Sequence, residues 1–274
     1  VQSLKPSEAA LTALLQSRFP AAQAAGSVSP LPGSSGQSLR LEWAGIPMVA
    51  RRDVGTLQPG VTLHRHYRAL KRLTPGLGPQ PFALGRTWLI TEFIDGEVFD
   101  TLPDAASLAA LLYTLHHQTC FGWRIHLMPL LMRYWQQCDP ARRSPLWLRT
   151  LQRLGTQGEP RPLRLAPLHM DLHPGNIVHQ SGKLRLIDWE YAGDGDVALE
   201  IAAASMSEAQ RESVIEQYAR LASLDRRELR AQVARWRPWT DALMAGWYER
   251  HYWQTRDRHF IFLANDAWNR LENT

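Results

Sequence analysis

Asp171, Asn176 and Asp188 occur in an order and at separations that could assemble a site for moving a phosphoryl group. The short runs Ile177-Val178-His179 and Leu184-Arg185-Leu186-Ile187 flank the polar stretch Gln180-Ser181-Gly182-Lys183, which predicts a β-hairpin. With His179 facing Leu184, the pairing runs back until Asn176 lies opposite Ile187 and Asp188 lies beside Gly175. Two oxygen-bearing side chains then meet at the open end of the hairpin. Amide and carboxylate oxygens suit Mg²⁺, which takes few protein ligands and fills its other positions with water and phosphate oxygens. Asp171 precedes Asn176 by five residues, on a segment that Pro174 and Gly175 keep from continuing as strand or helix. A carboxylate on such a loop can accept a hydroxyl proton.

Each residue also has a plainer reading. A lone aspartate after a histidine is usually a turn or cap residue. Agreement in order and spacing of three oxygen-bearing residues, a loop break and a hairpin favours a kinase. A different chemistry is legible in the same stretch, because His169, Asp171 and His173 alternate and an extended segment would turn all three to one face, as in a zinc hydrolase. Pro174-Gly175 cuts that strand short, and zinc leaves Asn176 and Asp188 without a role. A non-enzymatic nucleotide-binding protein is a further alternative, disfavoured because Asp171, Asn176 and Asp188 are all present.

The order His-x-Asp-x-x-x-x-Asn with a later Asp resembles the catalytic loop and metal-binding pattern of protein kinases. HMDLHPGNIV at 169–178 with LIDWEYA at 186–192 is more similar to the choline kinase and aminoglycoside phosphotransferase group. Within that group, segments 122–145, 162–178 and 184–202 resemble the bacterial thiamine kinases, and the similarity persists through Ala245-Gly246-Trp247. The residues up to about 90 resemble the family only loosely.

The resemblance implies an α+β, two-lobed protein-kinase-like fold. A small β-rich nucleotide-binding lobe would span residues 1–93, and a larger, mainly helical catalytic and substrate-binding lobe residues 94–274. It implies transfer of the ATP γ-phosphoryl group to the hydroxyl of thiamine, with Mg²⁺ as cofactor. Asp171 would orient or deprotonate that hydroxyl, Asn176 would bind Mg²⁺, and Asp188 would hold Mg²⁺ between the nucleotide phosphates. His169 would be architectural. Glu200 falls where relatives usually carry aspartate before a helix and is read as structural. Choline, ethanolamine or an aminoglycoside could use the same donor chemistry.

Gly33, Ser34, Ser35 and Gly36 precede a predicted strand and form the candidate phosphate loop, though a plain surface loop has the same composition. The lysine that relatives usually carry on the third strand is absent, since Lys5 and Lys183 lie elsewhere and Lys71 falls on a predicted helix. Arg51, at the end of Met48-Val49-Ala50-Arg51, is the available replacement, with a permanently charged fork able to contact phosphate. The partner glutamate of the following helix is missing too, because residues 63–70 contain no acid. By resemblance, adenine meets the backbone from Glu92 to Ile94. For the acceptor, Trp236, Trp239, Trp247, Tyr248 and Trp253 make an aromatic-rich C-terminal region, and an organic cation gains roughly 0.5–2 kcal/mol over a well-placed ring. Glu190, Asp194 or Asp196 could add charge complementarity, while most aromatics belong in the core.

At 274 residues and 45% hydrophobic, the chain can bury a substantial core near the upper size for a single one. No apolar run approaches the roughly 20 residues needed to span a bilayer, and the first residues lack the pattern of a signal peptide. Cys120 and Cys138 make neither a disulfide framework nor a metal motif, so a reducing cytoplasm is the expected compartment. The net charge of +5 is carried mostly by arginine, but acids interrupt runs such as Asp225-Arg226-Arg227-Glu228, so a solvated face is expected rather than nucleic-acid binding. No membrane or obligate protein partner is expected either.

The elements that must position the site follow from periodicity. Leu11, Leu14, Leu15 and Phe19 share a helical face that Pro20 ends. Leu39, Leu41 and Trp43 alternate as a strand that turns at Ala44-Gly45 into a second strand at 46–51. Leu63, Tyr67 and Leu70 predict a helix stopped by Pro75-Gly76, and residues 88–93 read as a buried strand. After Gly96 the pattern is helical, with Asp104 capping a helix over Leu108, Leu111, Leu112 and Leu115. Further helices are predicted at 129–137, 146–154 and beyond 199, with 155–162 as a loop.

Overall fold

The computed structural model of the chain describes residues 6–18, 28–30, 38–43, 45–53 and 61–272. In order, its helices and strands are α1 (Pro6–Arg18), β1 (Val28–Pro30), β2 (Ser38–Trp43), β3 (Ile46–Arg52), α2 (Leu63–Arg72), β4 (Pro81–Leu84), β5 (Trp88–Glu92) and β6 (Glu97–Val98). There follow α3 (Ala105–His116), α4 (Leu127–Gln137), α5 (Pro145–Gln157), β7 (Leu165–Leu168), β8 (Ile177–Gln180), β9 (Lys183–Leu186) and β10 (Gly193–Asp196). The chain then continues through α6 (Val197–Ala203), α7 (Glu208–Ala222), α8 (Arg226–Thr255) and α9 (His259–Glu272). The candidate phosphate loop, Gly33, Ser34, Ser35 and Gly36, lies outside the described residues, as do Phe19, Pro20 and Ala44.

Two compact units account for these elements, Val1–Thr101 with Pro174–Ala192, and Leu102–His173 with Gly193–Thr274. The division expected at 93/94 assigns hairpin β8–β9 to the helical part, whereas the structure groups residues 174–192 with the N-terminal sheet. The physical reason is a strand: β6 pairs with β8, Glu97 opposite His179 and Val98 opposite Val178. Gly96 permits the approach, because a Cβ there would meet the His179 carbonyl oxygen at 2.6 Å.

In the first unit a five-stranded sheet runs β1-β2-β3-β5-β4. Alternation in β2 sends Leu41 and Trp43 inward, where they join Leu11 and Leu15 of α1, Met48 and Ala50 of β3, and Trp88 and Ile90 of β5. β3 is central, with Arg51 opposite Ser38 on one side and Leu89 on the other. Thr62 caps α2 by accepting from the Arg65 amide.

In the second unit, Asp104 accepts from the Ala106 and Ser107 amides and starts α3, as the sequence predicts. Leu108, Leu112 and Leu115 of α3 are buried with Val214 and Tyr218 of α7. The antiparallel pair β7–β10 brackets residues 169–192, with Leu168 opposite Gly193 and Leu165 opposite Asp196. Helix α5 runs through Gln157, so Gly155 is helical rather than part of a loop. No helix among the described residues is long and apolar enough to cross a membrane.

Candidate active site

Hairpin β8–β9 has the expected register, with His179 opposite Leu184 and Ile177 opposite Leu186. One step further back, the Ile187 amide donates to the Asn176 carbonyl at 3.0 Å. Asn176 is buried, and Asp188 follows directly in the left-handed region with φ 66°. Aspartate tolerates that conformation better than most residues, at about 1 kcal/mol or more. Trp189 is the anchor: it is fully buried, donates from Nε1 to the Leu186 carbonyl at 2.8 Å, and packs so closely on Gly78 that a Cβ there would sit 2.9 Å from the indole nitrogen. The ladder bond at Ile187 and the buried indole of Trp189 hold the backbone on either side of Asp188.

Arg51 meets this end of the hairpin. One guanidinium nitrogen donates to Asp188 Oδ1, and the other donates to Glu190 Oε2 at 2.5 Å. Burial alone would lower the Arg51 pKa, but Asp188 and Glu190 more than reverse it and hold the guanidinium above its ordinary value. The third-strand cation is thus partnered by the Asp-Trp-Glu segment, which explains how the fold tolerates the absence of an acid on α2. The sequence suggests Glu190 only as charge for the acceptor; its carboxylate is engaged with Arg51 instead.

Glu92, at the end of β5, is clamped by its side chain. Arg185 of β9 donates to Glu92 Oε1 and Oε2, both at 2.8 Å, and the Gln80 amide donates to Oε2 at 2.9 Å. Burial pushes the Glu92 pKa up, but these donors outweigh it and hold the carboxyl below its usual range. The Glu92 amide donates to the Gln80 carbonyl and that of Phe93 to Pro47, while Ile94 is buried behind them.

In the second unit, Asp171 follows β7 on a turn in which Met170 takes the left-handed region, φ 67°. Glu200, near the middle of α6 and fully buried, accepts the His169 amide at 2.8 Å and the Met170 amide at 2.7 Å. The Asp171 amide donates to His169 Nδ1 at 3.2 Å, and the Ser205 amide donates to the Leu172 carbonyl at 3.0 Å. The Asp171 carboxylate itself is about one-third exposed, with Oδ2 3.8 Å from His173 Nε2. His169 therefore turns Nδ1 onto the backbone, and His169, Asp171 and His173 do not form the ligand set a zinc hydrolase needs. No group of three such ligands occurs among the described residues.

Burial opposes ionisation of Glu200, yet His116, His169 and the Met170 amide prevail and hold its pKa below the ordinary 4.5. Stability from a lowered carboxyl is fully present above about pH 4.5, and is lost as pH falls through the lower folded value. Glu200→Gln is therefore expected to be less stable near neutrality and to show a flatter acid limb. Urea midpoints measured at about pH 6 and about pH 4 check this; an acid limb as steep as wild type would contradict it.

Asp194 and Asp196 are spent structurally rather than offered to an acceptor. Asp194 accepts the Phe121 and Gly122 amides at 2.6 and 2.7 Å. Asp196 caps α6 and accepts from Gln232 Nε2 at 2.7 Å and Trp236 Nε1 at 2.8 Å. Trp236 and Trp239 are core, while Trp247 stacks on His251 with ring centroids 3.6 Å apart.

The family profile of the phosphotransferase enzyme family matches residues 27–239. A thiamine kinase of Salmonella heidelberg is 49% identical over 245 residues, 89% of each chain. A thiamine kinase of Escherichia coli O127:H6 is 49% identical over 240 residues, 87% of this chain and 88% of that one. Among solved structures, choline kinase LicA from Streptococcus pneumoniae aligns with a TM-score of 0.75 at 16% identity, covering 98% of this chain and 100% of that one. A putative aminoglycoside phosphotransferase from Ralstonia eutropha aligns with a TM-score of 0.68 at 16% identity, covering 97% and 96%. At such identities the structural likeness shows a shared kinase-like fold.

Proposed function

Because the chain belongs to the phosphotransferase enzyme family, we propose that it is a small-molecule kinase transferring the γ-phosphoryl group of ATP to the hydroxyl of thiamine, giving thiamine phosphate and ADP. The observation that carries the acceptor is 49% identity to thiamine kinases over 89% of both chains.

The donor side rests on the hairpin. Asn176 and Asp188 are adjacent in the ladder and offer an amide and a carboxylate, a hard-oxygen set that fits Mg²⁺ when nucleotide phosphates complete the coordination. Bound there, Mg²⁺ would neutralise the phosphate charge that grows toward the transition state. Arg51 adds a fixed positive charge beside Asp188, and adenine would meet the backbone from Glu92 to Ile94. Asp171 would align the thiamine hydroxyl and accept its proton, with its backbone set by Glu200 and His169. Most of the acceleration then comes from alignment and charge placement rather than covalent chemistry.

Arg51→Lys tests the fork. An ammonium on a flexible stem does not replace two nitrogens aimed at two carboxylates, so KM for ATP is expected to rise about tenfold, the loss of one charge-assisted hydrogen bond. KM for thiamine should stay within about twofold. An unchanged KM for ATP would remove Arg51 from the nucleotide site.

The acceptor is tested by following ADP release with thiamine, choline, ethanolamine and an aminoglycoside in parallel. Thiamine is expected to give the highest kcat/KM, and turnover confined to another alcohol would overturn the assignment.

A further inference from the structure

His116 lies on α3 and Tyr218 on α7. The His116 and Glu200 side chains are both fully covered. His116 Nδ1 is 2.7 Å from the Tyr218 hydroxyl, while Nε2 faces Glu200 Oε2 at 3.5 Å and has no formed hydrogen bond. Burial holds the Tyr218 phenol well above its ordinary pKa, so the hydroxyl keeps its proton. With a neutral ring, that hydroxyl donates to Nδ1 and fixes the tautomer with hydrogen on Nε2; a doubly protonated ring carries hydrogen there as well. In both states the nitrogen 3.5 Å from Glu200 Oε2 carries the hydrogen.

Glu200 spends its two oxygens on the turn before Asp171, Oε2 on the His169 amide and Oε1 on the Met170 amide. Met170 is not glycine, and its left-handed backbone costs about 1 kcal/mol or more, so the turn depends on those amides being held. Without the His116 N–H nearby, the buried carboxylate keeps its two backbone donors but has less to offset its charge, which favours taking up a proton and so placing an O–H against a backbone N–H. The next residue along the chain is Asp171.

We propose that His116, oriented by Tyr218, is a positioning residue for phosphoryl transfer, acting through Glu200 to hold the turn that presents Asp171. Its catalytic consequence rests on the kinase reading above; its structural consequence does not. A small displacement of an aligning group costs about 10- to 100-fold in rate, and the nucleotide ligands lie on other elements.

The test compares His116→Phe, which keeps a ring but loses both nitrogens, with His116→Gln, which keeps an N–H. In His116→Phe, kcat is expected to fall about 10- to 100-fold with both KM values within about twofold, and in His116→Gln it should return to within about fivefold of wild type. Backbone amide exchange read without substrate should accelerate at least about tenfold at His169 and Met170 in His116→Phe, with α3 and α7 unchanged. A His116→Phe kcat within about twofold of wild type, a glutamine variant as slow as phenylalanine, or unchanged exchange would overturn the proposal. Should His116→Phe not fold, Tyr218→Phe decides, with faster exchange at the same two amides supporting the proposal and unchanged exchange refuting it. A wild-type protein inactive on thiamine would sink the kinase assignment, while the exchange result would still judge the linkage.

Discussion

Replacing Asp171 with asparagine is expected to lower turnover by about 10²–10⁴ while leaving the fold intact. The amide keeps the shape of the carboxylate and loses its ability to accept a proton. The turn has holds of its own: Glu200 accepts the amides of residues 169 and 170, His169 Nδ1 accepts from the Asp171 amide, and the Ser205 amide donates to the Leu172 carbonyl. The substitution also removes the charge facing His173 at 3.8 Å, but both side chains are partly exposed and that pair is worth little. The thermal midpoint should therefore move by no more than about 2 °C, and KM for ATP should stay within about twofold. Turnover close to wild type in a folded Asp171→Asn protein would remove the residue from the reaction.

Asp188→Asn should damage the donor side to a similar extent, with kcat/KM falling about 10³-fold and a higher Mg²⁺ concentration needed for half-maximal rate. Here stability should respond as well. Asp188 accepts one arm of the buried Arg51 guanidinium, and Glu190 accepts the other. Neutralising one acceptor leaves a buried cation with a single carboxylate, at a cost of about 1–3 kcal/mol. The two effects separate experimentally, since added Mg²⁺ changes the rate and denaturant titration reads the stability. An unaltered Mg²⁺ dependence in this variant would place the metal elsewhere.

The parts of this site that are legible in the sequence are those set by local rules. Hairpin β8–β9 follows from two short runs around a polar turn, and one assumed pair, His179 with Leu184, brings Asn176 to Ile187 as found. The Asp104 cap and the buried face of α3 are of the same kind. Pairings across long sequence separations are not legible. Arg51 finds Asp188 137 residues away, and Arg185 finds Glu92 93 residues away, which depends on the finished sheet. β10 is another case, because Gly193-Asp194-Gly195-Asp196 argues against a strand by composition. It forms because glycine allows close packing, as at Gly195, where a Cβ would meet Leu168 at 2.6 Å. Glu200 carries a faint signal where the family's aspartate is expected before a helix, although the structure places it inside α6, and nothing in the sequence points to the His116 and Tyr218 that stand behind it.

In the proposed reaction, Asn176 and Asp188 hold the nucleotide-bound Mg²⁺ and Asp171 aligns the acceptor hydroxyl. A crystal structure with Mg²⁺, a non-hydrolysable ATP analogue and thiamine reads it directly. Mg²⁺ is expected at about 2.0–2.1 Å from Asn176 Oδ1 and an Asp188 carboxylate oxygen, with the thiamine hydroxyl at about 2.6–3.2 Å from Asp171. A metal ion bound away from both hairpin residues, or a hydroxyl turned from Asp171, would contradict it.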